Sequence, residues 1–108
     1  MTLPTTKDGR VTRLAIARVA RGVDHYTLAR AIEATGEEIA QWERGDKAPP
    51  RTKIWRTALA LGWPIQSFIG PHLSEDRAQE ALVKARRDLV ESGWPGPEHE
   101  DWAIGLIR

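Results

Sequence analysis

DHYTLARAIEATGEEIAQWERG, residues 24 to 45, is the stretch that decides the fold, because it carries the start and end signals of two short helices. The first helix begins after Asp24, a residue type that caps helix N-termini, and runs for about ten residues. Its apolar side consists of Leu28, Ala29 and Ile32 at helical spacing. The short Ala29 side chain lets another helix approach closely.

The second helix of the pair has a complete N-terminal signal. Thr35 is an N-capping residue, and Glu38 three positions later completes a capping box. Ile39 and Trp42 follow at i, i+3 spacing, and Gly45 ends the helix. Two short helices separated by a tight turn have the geometry of a helix-turn-helix unit.

The flanking sequence predicts further helices. A helix over 10–21 is indicated by apolar residues near one face and is ended by Gly22. After the turn GDKAPP at 45–50, a fourth helix runs to Gly62, and a short fifth helix closes at Gly70. The apolar positions of these last two helices are Ile54, Trp55, Ala58, Leu59, Leu61, Ile65, Phe68 and Ile69. We therefore predict an all-α fold, a five-helix helix-turn-helix bundle with an additional C-terminal helix and tail.

The chain length of 108 residues suits one compact core with an appendage. We divide it into an N-terminal arm at 1–9, the helix-turn-helix domain at 10–71 and a C-terminal element at 74–108. In that element Ser74 caps a helix reaching about Ser92, followed by a WPGP break and an apolar tail. The helix stripe and the tail consist of Ala78, Leu82, Ala85 and Leu89, then Trp102, Ile104, Leu106 and Ile107.

An apolar stripe of this kind indicates that another element covers it, but it does not identify that element. We favour pairing of two copies into a homodimer through residues 74–108. The alternatives are docking of a protein partner, or folding back of the tail over the chain's own core.

The net charge is only +1, but it is unevenly distributed along the chain. Residues 1–73 hold eleven Lys and Arg against seven Asp and Glu, whereas residues 74–108 hold five against eight. The first part is therefore basic and the last part acidic. The basic part is the candidate for contact with a polyanion.

The composition argues against several other classes of protein. There is no Cys, and His25, His72 and His99 are too far apart in sequence for a local metal motif, so we predict no metal and no cofactor. No Gly-rich phosphate loop or activated nucleophile is present, which argues against an enzyme. No secretory signal or bilayer-spanning run is present either, so we expect a cytoplasmic protein.

Specific residues make the helix pair similar to a known family. They are Leu28-Ala29, Ile39, QWERG at 41–45, the Pro-containing turn, and ALALGW at 58–63. Over about residues 10–70 the chain resembles the phage repressor and Cro helix-turn-helix family, the xenobiotic-response-element type of transcriptional regulators. The resemblance implies a lambda-repressor-like fold and a sequence-specific regulator that binds double-stranded DNA as a dimer. Such a protein acts in the bacterial cytoplasm, or in the host cytoplasm if phage-encoded.

The resemblance also implies which residues meet DNA. The helix at 36–44 would lie in the major groove. The base-facing positions would be Gly36, Glu37, Glu38 and Gln41. Gln41 is the natural reader, because its amide can pair with adenine. Phosphate contacts would come from His25, Thr35, Arg44, Lys47, Arg51 and Arg10, with Lys7 and Arg13 also able to follow the backbone. Arg18 and Glu43 match a partly buried ion pair of the family.

Three features depart from the family pattern. Gly36 has no side chain with which to read a base, and it weakens the start of the helix. Glu33 stands at the turn position usually given to Gly, so it must adopt an unfavourable backbone conformation or force a different turn. Glu37 and Glu38 place carboxylates at the reading end of the helix. We interpret them as first-turn acids that favour the helix dipole, rather than as readers of cytosine.

The main alternative function is a protein-interaction module of the antitoxin or anti-repressor type, which keeps the scaffold but not the DNA contact. Gln41 could then be an ordinary surface residue, as could His25. The cluster of basic residues that continues through Lys53 and Arg56 favours DNA. Trp42, Trp55 and Trp63 are interpreted as core or half-buried packing groups rather than base-stacking groups, because of their apolar spacing.

Overall fold

The structure is a computed structural model that describes residues 3–92, with side chains described for residues 3–87. The predicted break and tail at 93–108, with His99 and Trp102, lie outside the described residues, as does the side chain of Leu89. The element order is β1 (Arg10–Val11), α1 (Arg13–Ala20), α2 (His25–Ile32), α3 (Gly36–Glu43), α4 (Arg51–Leu61), a 3-10 helix (Ile65–Phe68), β2 (Leu73–Ser74) and α5 (Glu75–Ser92). The predicted all-α helix-turn-helix bundle is confirmed. None of the helices in residues 3–92 is both long and apolar enough to span a bilayer.

The first helix begins later than the sequence pattern indicates. Thr12 is its N-cap, and the Thr12 hydroxyl accepts a hydrogen bond from the backbone N–H of Ala15 at 3.2 Å. Residues 10–11 instead form β1, which pairs antiparallel with β2, with Arg10 opposite Ser74 and Val11 opposite Leu73. The prediction of a helix from residue 10 was wrong, because strands this short carry no local sequence signal.

The predicted fifth helix is a single 3-10 turn, and three of the assigned apolar positions are not packed as expected. Ile69 follows the turn in extended conformation and is exposed. Trp55 and Leu59, both on α4, are 51% and 61% exposed. Of the two expected environments, core or half-buried, the core is excluded for Trp55, about half of which is accessible. Trp42 is buried and Trp63 is half-buried, in agreement with their apolar spacing.

Helix α1 separates two hydrophobic clusters. One lies between α1 and the α2, α3 and α4 side of the molecule and contains Leu28, Ile32, Ile39 and Leu61. The other lies on the opposite face of α1. Six of the eight α1 residues are buried, so this helix is apolar on both faces, as expected for a central element.

The second cluster shows what covers the C-terminal helix. Ala78, Leu82 and Ala85 of α5 pack with α1 residues in the same chain, and Leu3 from the predicted N-terminal arm joins them at 5% exposure. This part of the stripe covers the chain's own core and is not available for a second copy, whereas the tail, for which folding back was proposed, lies outside the described residues. Helix α5 therefore packs on α1 within the same chain.

Candidate nucleic-acid interface

The turn between α2 and α3 places Glu33 in the left-handed region, with φ 57° and ψ 47°. This confirms the unfavourable conformation expected at that position, which costs a non-glycine residue about 1 kcal/mol. Helix α4 holds the turn from outside. Lys53 Nζ donates hydrogen bonds to the backbone oxygens of Ile32 at 3.0 Å and Glu33 at 2.7 Å, and Arg56 pairs with the Glu33 carboxylate at 3.0 Å. Lys53 and Arg56 thus stabilise the α2–α3 angle, a role that the sequence pattern did not reveal.

The N-terminus of α3 is closed by the predicted capping box. The Thr35 hydroxyl accepts from the backbone N–H of Glu38, and the Glu38 carboxylate accepts from the backbone N–H of Thr35, both at 3.0 Å. One Glu38 oxygen is therefore engaged by the helix itself. The structure gives Glu38 a capping role, and Thr35 helps to set the orientation of α3.

Glu37, Gln41 and Arg44 follow one another along α3 at i, i+4 and i+7, and thus share one side of the helix. Glu37 and Arg44 are both exposed and pair at 3.6 Å. Arg44 also donates to Asp46 at 3.1 Å, and this hydrogen bond is the main cause that raises the pKa of Arg44 above its ordinary value. In the described part of the chain, the Gln41 side chain forms no hydrogen bond, so its amide is available to a ligand.

Gly36 packs against the start of α2. A Cβ added at Gly36 would lie 3.8 Å from the His25 Cβ, an ordinary van der Waals contact. A methyl group therefore fits there. The packing of α3 against α2 therefore does not require glycine at position 36.

Arg18, Glu43 and His25 form one polar cluster, in which Glu43 is buried and His25 is partly exposed. The Glu43 side chain, only 1% exposed, accepts from Arg18 Nε at 2.6 Å and from Arg18 Nη2 at 2.9 Å. Arg18 Nη1 also donates to the Val23 carbonyl at 2.8 Å. His25 Nε2 lies 3.0 Å from the same Glu43 carboxylate. The cluster links α1, the start of α2 and the end of α3.

The contact with Glu43 changes what His25 can offer to a phosphate. A carboxylate only accepts, so Nε2 carries the proton, and in the neutral ring Nδ1 is then an acceptor. His25 can donate to a phosphate only when its ring is protonated. The structure therefore gives His25 a contact that supports α3 through Glu43.

The remaining phosphate candidates lie at the ends of elements. Lys47 and Arg51 are exposed and, within residues 3–92, form no ion pair. Arg10 lies in β1, where it contacts the His72 carbonyl at 3.5 Å and Asp8 at 3.9 Å. These contacts place Arg10 beside Asp8 and His72.

The N-terminal segment does reach the end of α3. Lys7 and Asp8 line one cleft together with Arg44 and Asp46. Gly45, with φ 77°, allows this approach, because a Cβ there would lie 3.1 Å from the Thr6 methyl. Lys7 is thus a basic neighbour of α3. No group of three or more His, Asp or Glu side chains suited to a metal occurs in the described residues.

Comparison with known proteins gives one informative similarity. The chain is 34% identical to the HTH-type transcriptional regulator SutR of Escherichia coli (strain K12) over 80 residues, which cover 67% of this chain. The comparison supports a helix-turn-helix regulator family. The aligned part spans 43% of SutR, so the chain covers less than half of that relative. No protein-family model matches the chain, and no solved structure matches it.

Proposed function

We propose that this chain is a DNA-binding transcriptional regulator of the repressor and Cro type that acts in the cytoplasm. In this proposal α3 lies in the major groove of double-stranded DNA. The observation that carries the proposal is the exposed side of α3 on a rigidly held helix. Gln41 there has a side-chain amide without an internal partner. The Arg18–Glu43 pair holds the end of α3, and Lys53 holds the turn that precedes this helix. A helix supported in this way can present a base-reading amide with little loss of conformational entropy on binding.

The acidic residues are less of an obstacle than their sequence suggests. Glu38 is engaged in the capping box, and Glu37 is paired with Arg44. On DNA, Arg44 can exchange its contacts with Glu37 and Asp46 for a phosphate. These carboxylates therefore weaken non-specific attraction, which favours selectivity over affinity.

Sequence-independent contacts are proposed for the basic residues beside α3. Lys47 and Arg51 are exposed, and Lys7 lies in the cleft that contains Arg44. The α4 N-terminus has no side-chain cap, so its first backbone N–H groups can donate to a phosphate. Binding through these groups should weaken steeply as salt increases.

We further propose that the protein binds as a homodimer, with two α3 helices about 34 Å apart in successive major grooves. The α5 stripe is used within the chain, so the contact must use another surface. Trp55 and Leu59 are exposed at i, i+4 on α4, and this apolar pair supports a protein contact there. Equilibrium sedimentation of the wild type and of Trp55→Ser tests the pairing. A monomer in both cases, with and without DNA, would contradict it.

DNA binding is tested by fluorescence anisotropy with DNA fragments flanking the gene, at low and moderate salt. We expect Gln41→Ala to reduce discrimination at one base position by about 1–3 kcal/mol, and Lys47→Ala to weaken all sequences alike. Gln79→Ala and Arg86→Ala on α5 are matched controls, because α5 lies on the other side of α1. Absence of binding at either salt concentration would refute the proposal.

A further inference from the structure

A cleft of about 440 Å³ lies between α1, the segment after α4, and α5. It is distinct from the α3 surface, because α1 separates α5 from the cluster that contains α3. Its walls come from Arg13 and Ile16 of α1, Trp63 and Pro64 after α4, and Ala81 and Lys84 of α5. The volume lies in the range of pockets that hold small organic molecules.

The polar side of this cleft is cationic. Arg13 and Lys84 line it, and within the part of the chain that the structure describes neither forms an ion pair. The Arg13 Nε atom is buried beside Gly70 and has no hydrogen-bond acceptor within the described residues, although buried donors normally have one. None of the described residues lining the cleft is acidic. The cleft therefore favours an anionic occupant.

Arg21 also lines the cleft but has a different role. Its Nε donates to the Leu61 carbonyl at 2.8 Å, and its guanidinium lies 5.6 Å from the centre of the Trp63 ring. These contacts hold Trp63 in position, together with the Phe68 ring at 6.0 Å. The indole thus forms a preorganised apolar wall that a planar group can contact.

The apolar wall and the cationic side together define the ligand. We propose that the cleft binds a small aromatic carboxylate, with the ring against Trp63 and Ala81 and the carboxylate between Arg13 and Lys84. Guanidinium and ammonium groups both bind carboxylates through charge-assisted hydrogen bonds. The proposal does not depend on DNA binding, because no residue of the α3 surface lines the cleft.

The test is a titration of the full chain, without DNA, with 1-naphthoate and with the neutral 1-naphthamide, followed by ¹H–¹⁵N NMR spectra. We expect naphthoate at concentrations up to about 5 mM to shift the Trp63 indole N–H and the Arg13 Nε–H with one Kd. Naphthamide should bind at least about fivefold more weakly, because it lacks the charge.

Lys84→Glu is the informative variant, since Lys84 is exposed and its replacement leaves the core intact. We expect the naphthoate Kd to increase by about fivefold or more in this variant. Arg86→Glu makes the same charge change at an exposed position of α5 outside the cleft, and should leave the Kd unchanged. Equal effects of both variants, equal affinity for the amide, or absence of shifts at Trp63 would each overturn the proposal. DNA binding can fail without affecting any of these outcomes.

Discussion

Glu43→Gln is the substitution that most directly tests how α3 is held. It keeps the side-chain volume but removes the charge that faces Arg18 and His25. The amide can still accept at one oxygen, but its NH₂ group then meets N–H donors. Arg18, with a side chain only 11% exposed, keeps its bond to the Val23 carbonyl and loses its counter-charge.

The expected cost follows from this geometry. Leaving one member of a buried pair without its partner costs about 3 kcal/mol, whereas an exposed pair contributes less than about 1 kcal/mol. For a domain of this size, about 3 kcal/mol corresponds to a decrease in Tm of about 15 °C. It is also a large fraction of a typical total stability of about 5–15 kcal/mol.

The assay is urea unfolding at neutral pH, monitored by tryptophan fluorescence, with the free energy of unfolding taken by linear extrapolation. Glu80→Gln on the exposed surface of α5 is the matched control and should change stability by less than about 0.5 kcal/mol. The double variant Arg18→Met with Glu43→Leu removes both charges, and we expect it to recover most of the loss.

Two results would refute this reasoning. A cost below about 1 kcal/mol for Glu43→Gln would mean that the pair behaves as a solvated surface pair. Additive losses in the double variant would mean that the two side chains stabilise the fold independently. A strong dependence on salt of the stability lost in Glu43→Gln would likewise indicate a solvated surface pair, since buried pairs are weakly screened.

Three other substitutions test separate parts of the fold. Glu33→Gly should stabilise the protein by up to about 1 kcal/mol in the same urea assay, because glycine adopts the left-handed conformation without strain. Destabilisation would show that the contact of the Glu33 carboxylate with Arg56 contributes more than the strain costs. The hydrogen bond that the Thr27 backbone N–H donates to the Asp24 carboxylate lowers the pKa of Asp24, so the stability from this cap is present above about pH 4 and is lost as the pH falls through the lowered pKa. Asp24→Asn should therefore reduce the dependence of the free energy of unfolding on pH in the acid range. An unchanged pH profile would contradict this role of Asp24. Leu82→Ala should cost about 3 kcal/mol, against less than about 0.5 kcal/mol for exposed Val83→Ala, and equal costs would argue that α5 does not pack on α1.

The sequence predicts most of the helix-turn-helix unit because its signals are local. The Asp24 cap and the Thr35–Glu38 capping box each act within three residues, and both are present. The strained turn at Glu33 was also expected, since it follows from one residue type at one motif position. The contact of Lys53 with Glu33 was not expected, because it joins residues 20 positions apart.

The candidate site shows the same division. That exposed Glu37 and partly exposed Gln41 share one side of α3 follows from the periodicity of the helix. The engagement of His25 by Glu43 does not, because the two residues lie 18 positions apart and meet only when α2 and α3 pack. A histidine at the start of a helix gives no indication of which ring nitrogen is free.

The stretch at 24–45 by itself determines two capped helices and the turn between them, because caps and apolar periodicity act over one or two helical turns. Only the tertiary structure decides which stripes meet. It places α1 between two hydrophobic clusters, covers α1 with the α5 stripe, and leaves Trp55 exposed although its spacing is apolar. The physical reason is that an apolar stripe specifies burial but not its partner, whereas the partner depends on how the whole chain packs.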